Sequence, residues 1–513
     1  MSIDPERKST ESNNPVRNLS ISEFYKDAVV FITGATGFLG KVLIEKLLRT
    51  CSDIKAIYIH IRPKRGVSSD FRYKDFLKHD IFNNVRLKNP VLLEKIVCVA
   101  GDVTQSKLGL SDADYEMVLN DVTIVIHSAA TVKFNEPLKN AGNLNAHGTK
   151  RLMEMCMKMR KLKSFVHVST AFSNPGRNYV EEIVYPSCSP LDKDSFMNCI
   201  EILPAEVLDS IFDIIKGPHP NTYTLTKSIA ELIVSEYSQR FPVAIVRPSI
   251  ITGSLAEPYP GWVDNTQAIT GIIMEIGRGT IKSIEGDRDL VCDIIPVDIV
   301  ANTLIGAAWR GYVYNSQSAQ VYNCTSGQLR PIFWKELGFY TQKWSRKFPS
   351  KYLMLYPHFD FRTNRLMHRF YETFFHLLPA YVFDIILKWQ GSKPIMMKIA
   401  KKLQISCDLG TFFVLNQWIF ENRNQKQLVA EIKADKLGDE FSCDISQLDY
   451  DEYIKNFVVG IRKYVLKDND ESLPKAKRKL LILFWVRTLF YWGLIPLLIY
   501  FFGKIFKLLV FPV

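Results

Sequence analysis

The sequence predicts an α/β fold: a doubly wound parallel sheet, then an α-helical part, then a long apolar segment near the C-terminus. Three features predict it. Apolar runs of strand length alternate with helical patterns from Ala28 to about residue 340. That rhythm then gives way to helical, aromatic-rich sequence over 341–466. Finally, residues 480–502 are apolar with hardly a break. Strands that alternate with helices favour a parallel sheet, because each helix carries the chain back to the starting end.

The first element, VVFITGATGFLG (29–40), reads as a buried strand, a glycine turn and the start of a helix that continues through KVLIEKLLRT. IKAIYIHI (54–61), KIVCVAGDVT (95–104), TIVIHSAA (123–130), FVHVSTAF (165–172) and VAIVRPSI (243–250) read as the next strands. Their continuous apolar character suits strands covered on both faces. Helical patterns at 142–159 and 223–240 separate them, and VCDIIPVDIVANTLIGAAW (291–309) returns to strand and helix. The stretch 173–222, rich in Pro, Ser and acids, and the stretch 253–295, which contains GSLAEPYPGWVDN, are expected to be substrate-binding excursions from this core. The expected organisation is a flexible tail (1–27), a sheet domain (28–340), a helical domain (341–470), and a basic linker with the apolar segment (471–513).

Composition narrows the function classes. With 47% hydrophobic and 23% charged residues, the 513-residue chain is a folded globular protein of more than one unit. Lys and Arg outnumber Asp and Glu by 65 to 53, a net charge of +12. Such a balance suits nucleic acid, an anionic membrane or a polyphosphate ligand. Its distribution favours the membrane over nucleic acid. No acid follows Glu471, while Lys475, Lys477, Arg478 and Lys479 directly precede the apolar run. The nine cysteines include no CxxC pair, and the polar N-terminus lacks an apolar core of the signal-peptide kind. These features point to reduced thiols facing the cytosol, packed as small hydrophobes rather than acting as nucleophiles.

Gly34, Gly37 and Gly40 lie between a strand and a helix. A glycine turn at that junction lets backbone approach a pyrophosphate, which the helix N-terminus then holds. The second strand ends in Arg62-Pro63-Lys64-Arg65 where an NAD-binding fold would carry an acid for the ribose hydroxyl. A cationic cluster there suits the 2′-phosphate of NADP. Asp102 and Val103, after the third strand, are placed to flank the adenine. Ala129 and Ala130, after the fourth, leave room for a ribose.

Tyr223 and Lys227 form a YxxxK pair at the start of a helix, on one face at i, i+4 spacing. A phenol of pKa ~10 donates and accepts protons poorly near neutrality unless a neighbouring ammonium lowers it. The fifth strand ends in Ser169-Thr170, whose hydroxyls could hold a carbonyl oxygen. Thr170 is favoured over Ser169 because it directly precedes Ala171. Asn145, in NLNAHGT, either orders a proton relay through water or serves the helix structurally.

TGATGFLGKVLIEKLLR, HSAATVKF, FVHVSTAF, NTYTLTK and IVRPSI resemble successive motifs of the extended short-chain dehydrogenases of the fatty acyl-CoA reductase family. ISEFYKD, PYPGWVDN, HLLPAYVFD, the run through NQWIFENRN and YDEYIKNFVVGIRKYVLKD carry the resemblance over residues 21–467. It implies a Rossmann-like sheet followed by the family's helical C-terminal domain. It implies NADPH held by Gly34, Thr36, Gly37, Phe38, Leu39 and Gly40, and further by Arg62, Asp102, Val103, Ala129 and Ala130. Pro248, Ser249 and Ile250 of the IVRPSI motif would join them, with Tyr223 and Lys227. Thr170, Tyr223 and Lys227 would be the catalytic trio, with no metal. The implied reaction is a four-electron reduction of long-chain acyl-CoA to a primary alcohol with release of coenzyme A. Two segments depart from the family's pattern, Ala146-His147 and AFSNPGRN. They leave chain-length preference open.

As a helix, residues 480–502 would span roughly 34 Å at ~1.5 Å per residue, enough for a bilayer core. Arg487 and Pro496 interrupt the run, so an interfacial helix or a re-entrant hairpin are alternatives to a span. The catalytic domain is expected to face the cytosol, at the endoplasmic reticulum first and the peroxisome second. Two rival readings stand beside the reductase. One is an extended dehydrogenase acting on a sterol or nucleotide sugar. The other is a non-catalytic membrane adaptor that keeps the fold.

Overall fold

The structure is a computed structural model that describes residues 19–64, 66–494, 496–497 and 500–501. Arg65, the tail before Leu19 and the end of the chain after Phe501 lie outside the described residues. So do Ile495, Leu498, Ile499 and Phe502 of the expected membrane segment.

The chain forms two compact units that interleave along the sequence. The first comprises residues 1–248, 300–324 and 421–444; the second comprises 249–299, 325–420 and 445–513. The excursion 173–222 therefore stays with the first unit, and 253–295 belongs to the second.

The first unit is built on a seven-stranded sheet. Its strands are β1 (Val29–Thr33), β2 (Ala56–Ile61), β3 (Ile96–Ala100), β4 (Ile124–His127), β5 (Ser164–Val168), β6 (Val243–Pro248) and β7 (Gln320–Cys324). The spatial order is β7-β6-β5-β4-β1-β2-β3, and every pairing is parallel. The strand order reverses between β1 and β4, which makes the carboxyl ends of those two strands the topological switch point. β1 is buried along its whole length, as a central strand covered on both faces must be. Val29, Phe31, Val125, Phe165 and Ile245 pack with Val118, Leu152 and Ile229 of the neighbouring helices in one core.

Six of the strands match the apolar runs read from sequence. The seventh, β7, was not anticipated: Gln320 and Asn323 break its apolar character. The side-chain amide nitrogen of Asn323 donates to the carbonyls of Val180 (3.1 Å) and Glu421 (2.8 Å). The residues assigned to a flexible tail, 1–27, also end in structure. Ser20 and Glu23 form a capping box for the helix Ile21–Tyr25, and Phe24 and Tyr25 are buried. Trp309 fixes the segment further by donating to the Leu19 carbonyl (2.7 Å).

In the second unit, the short strands Ile250–Thr252 and Ile294–Pro296 pair in parallel. The GWVDN segment packs against the helix Tyr450–Gly460. Tyr453 donates to the Gly253 carbonyl at 2.6 Å, and Trp262 is buried. Asp298 gathers the amides of Leu255, Ala256 and Glu257 on one carboxylate and so fixes the loop that leads into that segment. After residue 340 the unit is mostly helical, as the lost strand rhythm predicts, with the strand Asp360–Arg362 paired to Ser283–Glu285. One described helix, Arg365–Trp389, is long and apolar enough to cross a membrane by length and composition. The expected membrane segment is helical over Leu473–Leu489 and continues as a wider helical turn through Leu494.

Candidate active site

The residues singled out in the first unit gather at the carboxyl ends of its strands, around the switch point. β1 runs into Gly34, whose φ of +73° favours glycine. A side chain there would strike the backbone of Ser128 and Ala129 beyond β4. One on Gly40 would strike the carbonyl of Gly34. The turn is thus compressed against both β4 and its own helix. Gly37 is the N-cap of the helix Phe38–Thr50 and brings no side chain to that helix's first amides. Thr33 accepts the Ala129 amide at 3.2 Å, which ties the β1 and β4 ends together. Ala130 is the next residue along that exit.

Asp102 folds its carboxylate back onto the amide (2.9 Å) and hydroxyl (2.8 Å) of Thr104, and Val103 beside it is buried. Arg62 is exposed at the end of β2. Sequence reading missed its neighbour Arg72. This residue lies on the helix Ser69–Leu77 and donates to the Thr36 hydroxyl at 3.1 Å and to the Arg62 carbonyl. Burial and the Arg62 charge lower its pKa. The Arg72 guanidinium therefore lies next to the glycine turn, within the field of the Arg62 charge. The only sequence signal for this second guanidinium was an arginine one helical turn into an otherwise unremarked surface helix.

Tyr223 stands in the first turn of the helix Thr222–Glu236, capped by Asn221. Its ring stacks on Phe134 at 6.0 Å. Burial pushes its phenol up to about 12, partly opposed by the nearby Thr170 hydroxyl. Thr170 and Tyr223 are thus brought together. Ser169 turns the other way and donates to Glu231 at 2.5 Å. Glu231 in turn forms a fully buried, two-point ion pair with Arg247, whose Nε and Nη2 donate at 2.9 and 2.6 Å. Arg247 also holds the carbonyls of Glu181 (3.0 Å) and Ile183 (2.7 Å). One ion pair therefore fastens the helix Thr222–Glu236 to β6 and to the start of the excursion.

Lys227, one turn after Tyr223, is buried and donates to the Val168 carbonyl (2.6 Å), with His167 Nε2 at 3.1 Å. Burial pushes Lys227 down to about 7, partly opposed by Glu231. His167 faces His127 across β5 and β4, with ring centroids 5.3 Å apart. Burial, followed by Lys227, lowers both histidines, His127 to about 3, so both are neutral. Their positions in the two strands were visible in the sequence, but nothing there showed that they lie below the lysine.

Asn145 lies in a π-helical turn, Gly142–His147. It takes the Thr131 amide (2.9 Å) and donates to the Thr131 carbonyl (3.3 Å) and to Thr226 (2.9 Å). It thereby pins the β4 exit to the helix that carries Tyr223. The two residues that depart from the family's pattern have local roles. Ala146 is buried in the core, and His147 meets the Met197 carbonyl at 3.0 Å. Pro248 ends β6 and is buried. Ser249 and Ile250 belong to the second unit, where the Ile250 amide donates to the Asp293 carbonyl at 3.1 Å.

A dinucleotide fits this geometry. The compressed glycine turn at the switch point gives a pyrophosphate access to helix amides.

Comparison with known proteins agrees. An NAD-binding family model described as "Male sterility protein" matches residues 32–304, and a second model with the same description matches 375–468. Fatty acyl-CoA reductase 1 of Xenopus laevis is 36% identical over 462 residues, covering 90% of this chain and 89% of that protein. The Homo sapiens protein of the same name is 35% identical with the same coverage. Fatty acyl-CoA reductase 2 of Mus musculus is 36% identical over 460 residues, again covering 90% of this chain and 89% of that protein. Among solved structures, the terminal R domain of the myxalamid PKS-NRPS pathway superimposes with a TM-score of 0.58 at 20% identity, covering 86% of this chain and 92% of that one. The reductase domain of a nonribosomal peptide synthetase from Mycobacterium tuberculosis does so with a TM-score of 0.55 at 19% identity, covering 86% and 93%. These two show the shared fold. The chain is an oxidoreductase that uses a nicotinamide cofactor.

Proposed function

Because the chain belongs to the fatty acyl-CoA reductase family, we propose that its Thr170, Tyr223 and Lys227 serve the NADPH-dependent reduction of a long-chain acyl-CoA to the primary alcohol. The observation that carries this assignment is Tyr223 with the Thr170 hydroxyl beside its phenol, one helical turn from a buried lysine. The nicotinamide, when bound, supplies hydride. The rest is the work of the chain. Thr170 donates to the thioester carbonyl oxygen and steadies the charge that develops there. Tyr223 gives that oxygen its proton. Collapse of the resulting hemithioacetal expels the coenzyme A thiol, and the same pair serves the aldehyde in a second round. One acyl-CoA, two NADPH and two protons thus give one alcohol, one coenzyme A and two NADP⁺. Conversion of acyl-CoA to alcohol by the purified protein, followed with each cofactor, tests the assignment.

The preference for NADPH rests on Arg62 and Arg72 beside the glycine turn. A hydrogen bond to a charged group contributes about 1.5–3 kcal/mol. Arg62→Ala and Arg72→Ala should therefore each weaken NADPH about tenfold or more while leaving NADH little changed. Titration of nucleotide fluorescence measures both. Equal losses for the two cofactors would place the 2′-phosphate elsewhere.

The pH profile follows from Lys227. Proton donation needs a protonated Tyr223 and a cationic Lys227. Burial keeps the tyrosine protonated up to about 12, whereas it brings Lys227 down to about 7. Both groups are in the required form at low pH. The reductive kcat/KM should therefore be level on the acid side and fall as the pH rises through about 7, where the free enzyme loses the lysine proton. Lys227→Arg keeps its charge to about pH 12 and should carry the falling limb upward with it. A limb that stays in place in that variant belongs to another group.

We place the catalytic unit at a cytosolic membrane face, the endoplasmic reticulum ahead of the peroxisome. Leu481, Trp485, Leu489 and Trp492, within the expected anchor, are exposed and apolar, which suits lipid contact.

A further inference from the structure

The helix Arg365–Trp389 is amphipathic the wrong way round for water. Its three buried residues are all polar: His368 at 2%, Glu372 at 3% and Asp384 at 7% exposure. Each is satisfied within the second unit. His368 meets Ser283 at 2.9 Å, and Glu372 pairs with Arg369 at 2.6 Å. Asp384 accepts the amides of Met396 and Met397 at 2.8 and 2.9 Å. Those last two bonds cap the following helix, Met396–Val414, and lock the two helices into a hairpin. The outward side carries the apolar residues: Leu366 is 83% exposed, Phe370 52%, Tyr381 56% and Trp389 88%. A water-facing helix shows the opposite arrangement, with its apolar stripe inside. An exposed apolar face of this extent marks an interaction surface.

Charge identifies the partner. Lys388, Lys393, Lys398, Lys401 and Lys402 cluster at the turn and on the first half of the second helix, all exposed. Asp384 is the one acid between Thr373 and Cys407, and it is committed to the cap. Lysines beside a projecting tryptophan suit the headgroup level of an anionic bilayer, where a ring lies at the interface and ammonium groups meet lipid phosphate. A protein partner would have to supply apolar area and acids together, whereas an anionic bilayer offers both along its surface.

We propose that the helical hairpin 365–414 lies in the surface of an anionic membrane, with its outward aromatic face among the acyl chains and its lysines at the headgroups. This rests on the membrane reading above but assigns a second contact, separate from the C-terminal segment. Two contacts would hold the second unit at a fixed orientation on the surface from which a long-chain substrate arrives.

The test uses the full-length chain in phosphatidylcholine–phosphatidylserine vesicles that contain a phosphatidylcholine with a diazirine in its acyl chain. After irradiation, labelled peptides are mapped by mass spectrometry. Label on Phe370, Phe374, Tyr381 and Trp389, as well as beyond residue 473, is the expected result. Replacing the five lysines by Gln should cut hairpin labelling at least about fivefold and leave C-terminal labelling in place, since each basic residue near such a surface contributes about 1 kcal/mol. Label confined to residues beyond 473 would overturn the hairpin proposal and keep the anchor. Hairpin-to-hairpin crosslinks between copies, without lipid label, would make the face a dimer contact instead. Failure of the chain to float with vesicles would overturn the membrane reading itself.

Discussion

Tyr223→Phe is expected to lower alcohol formation by at least about two orders of magnitude, the usual contribution of a positioned proton donor. The substitution removes only the hydroxyl. The ring keeps its stacking on Phe134, and the helix keeps its Asn221 cap. Nucleotide affinity and thermal stability should therefore stay close to those of the unaltered protein, so that the loss appears in kcat. Thr170→Ala should produce a similar though smaller loss, because it removes the partner of the phenol and the donor to the carbonyl oxygen. Ser169→Ala should affect turnover less, since Ser169 spends its hydroxyl on Glu231. Near-normal alcohol production by the Tyr223 variant would show that another group delivers the proton.

The second large effect falls on stability. Arg247→Met should destabilise the first unit by about 3–5 kcal/mol, the range for breaking a buried ion pair from one side. Glu231 would be left as a buried carboxylate, and the carbonyls of Glu181 and Ile183 would lose their donor. Burying a pair of charges is itself costly, so the double variant Glu231→Leu/Arg247→Met should recover much of that loss. Thermal unfolding in mild detergent compares the three proteins. If the double variant is as unstable as the single one, the damage comes from the severed carbonyl contacts rather than from the unpaired charge.

Much of the candidate site was legible in the sequence because the chemistry proposed for it requires particular residues at particular spacings. The glycine turn must lie between a strand and a helix, and Tyr223 and Lys227 must share one helical face. Both requirements leave local marks. The apolar core strands leave marks of the same kind, which is why six of them could be read directly. What was missed depends on distant partners. β7 is recognisable only through Ala244 and its neighbours, which it joins in parallel register. Arg72 acquires meaning only when its helix brings it to Thr36. The Glu231–Arg247 pair joins a helix to a strand, and neither residue signals the other in the sequence. The return of residues 421–444 to the first unit is a long-range event of the same type. The outward apolar face of the helix Arg365–Trp389 escaped notice because polar residues interrupt its apolar pattern. Those residues turn inward, and only the structure shows it.

Product analysis tests the proposed reaction. The purified full-length protein in detergent would be given NADPH and a panel of acyl-CoAs of graded chain length, with a sterol ketone and a nucleotide sugar as controls. A primary alcohol, free coenzyme A and two NADPH consumed for each thioester are expected, with activity rising toward long chains. Each added methylene buried from water contributes about 0.8 kcal/mol to holding such a chain. Turnover of a control substrate in place of the thioesters would rule out acyl-CoA reduction, as would nicotinamide oxidation that releases no coenzyme A.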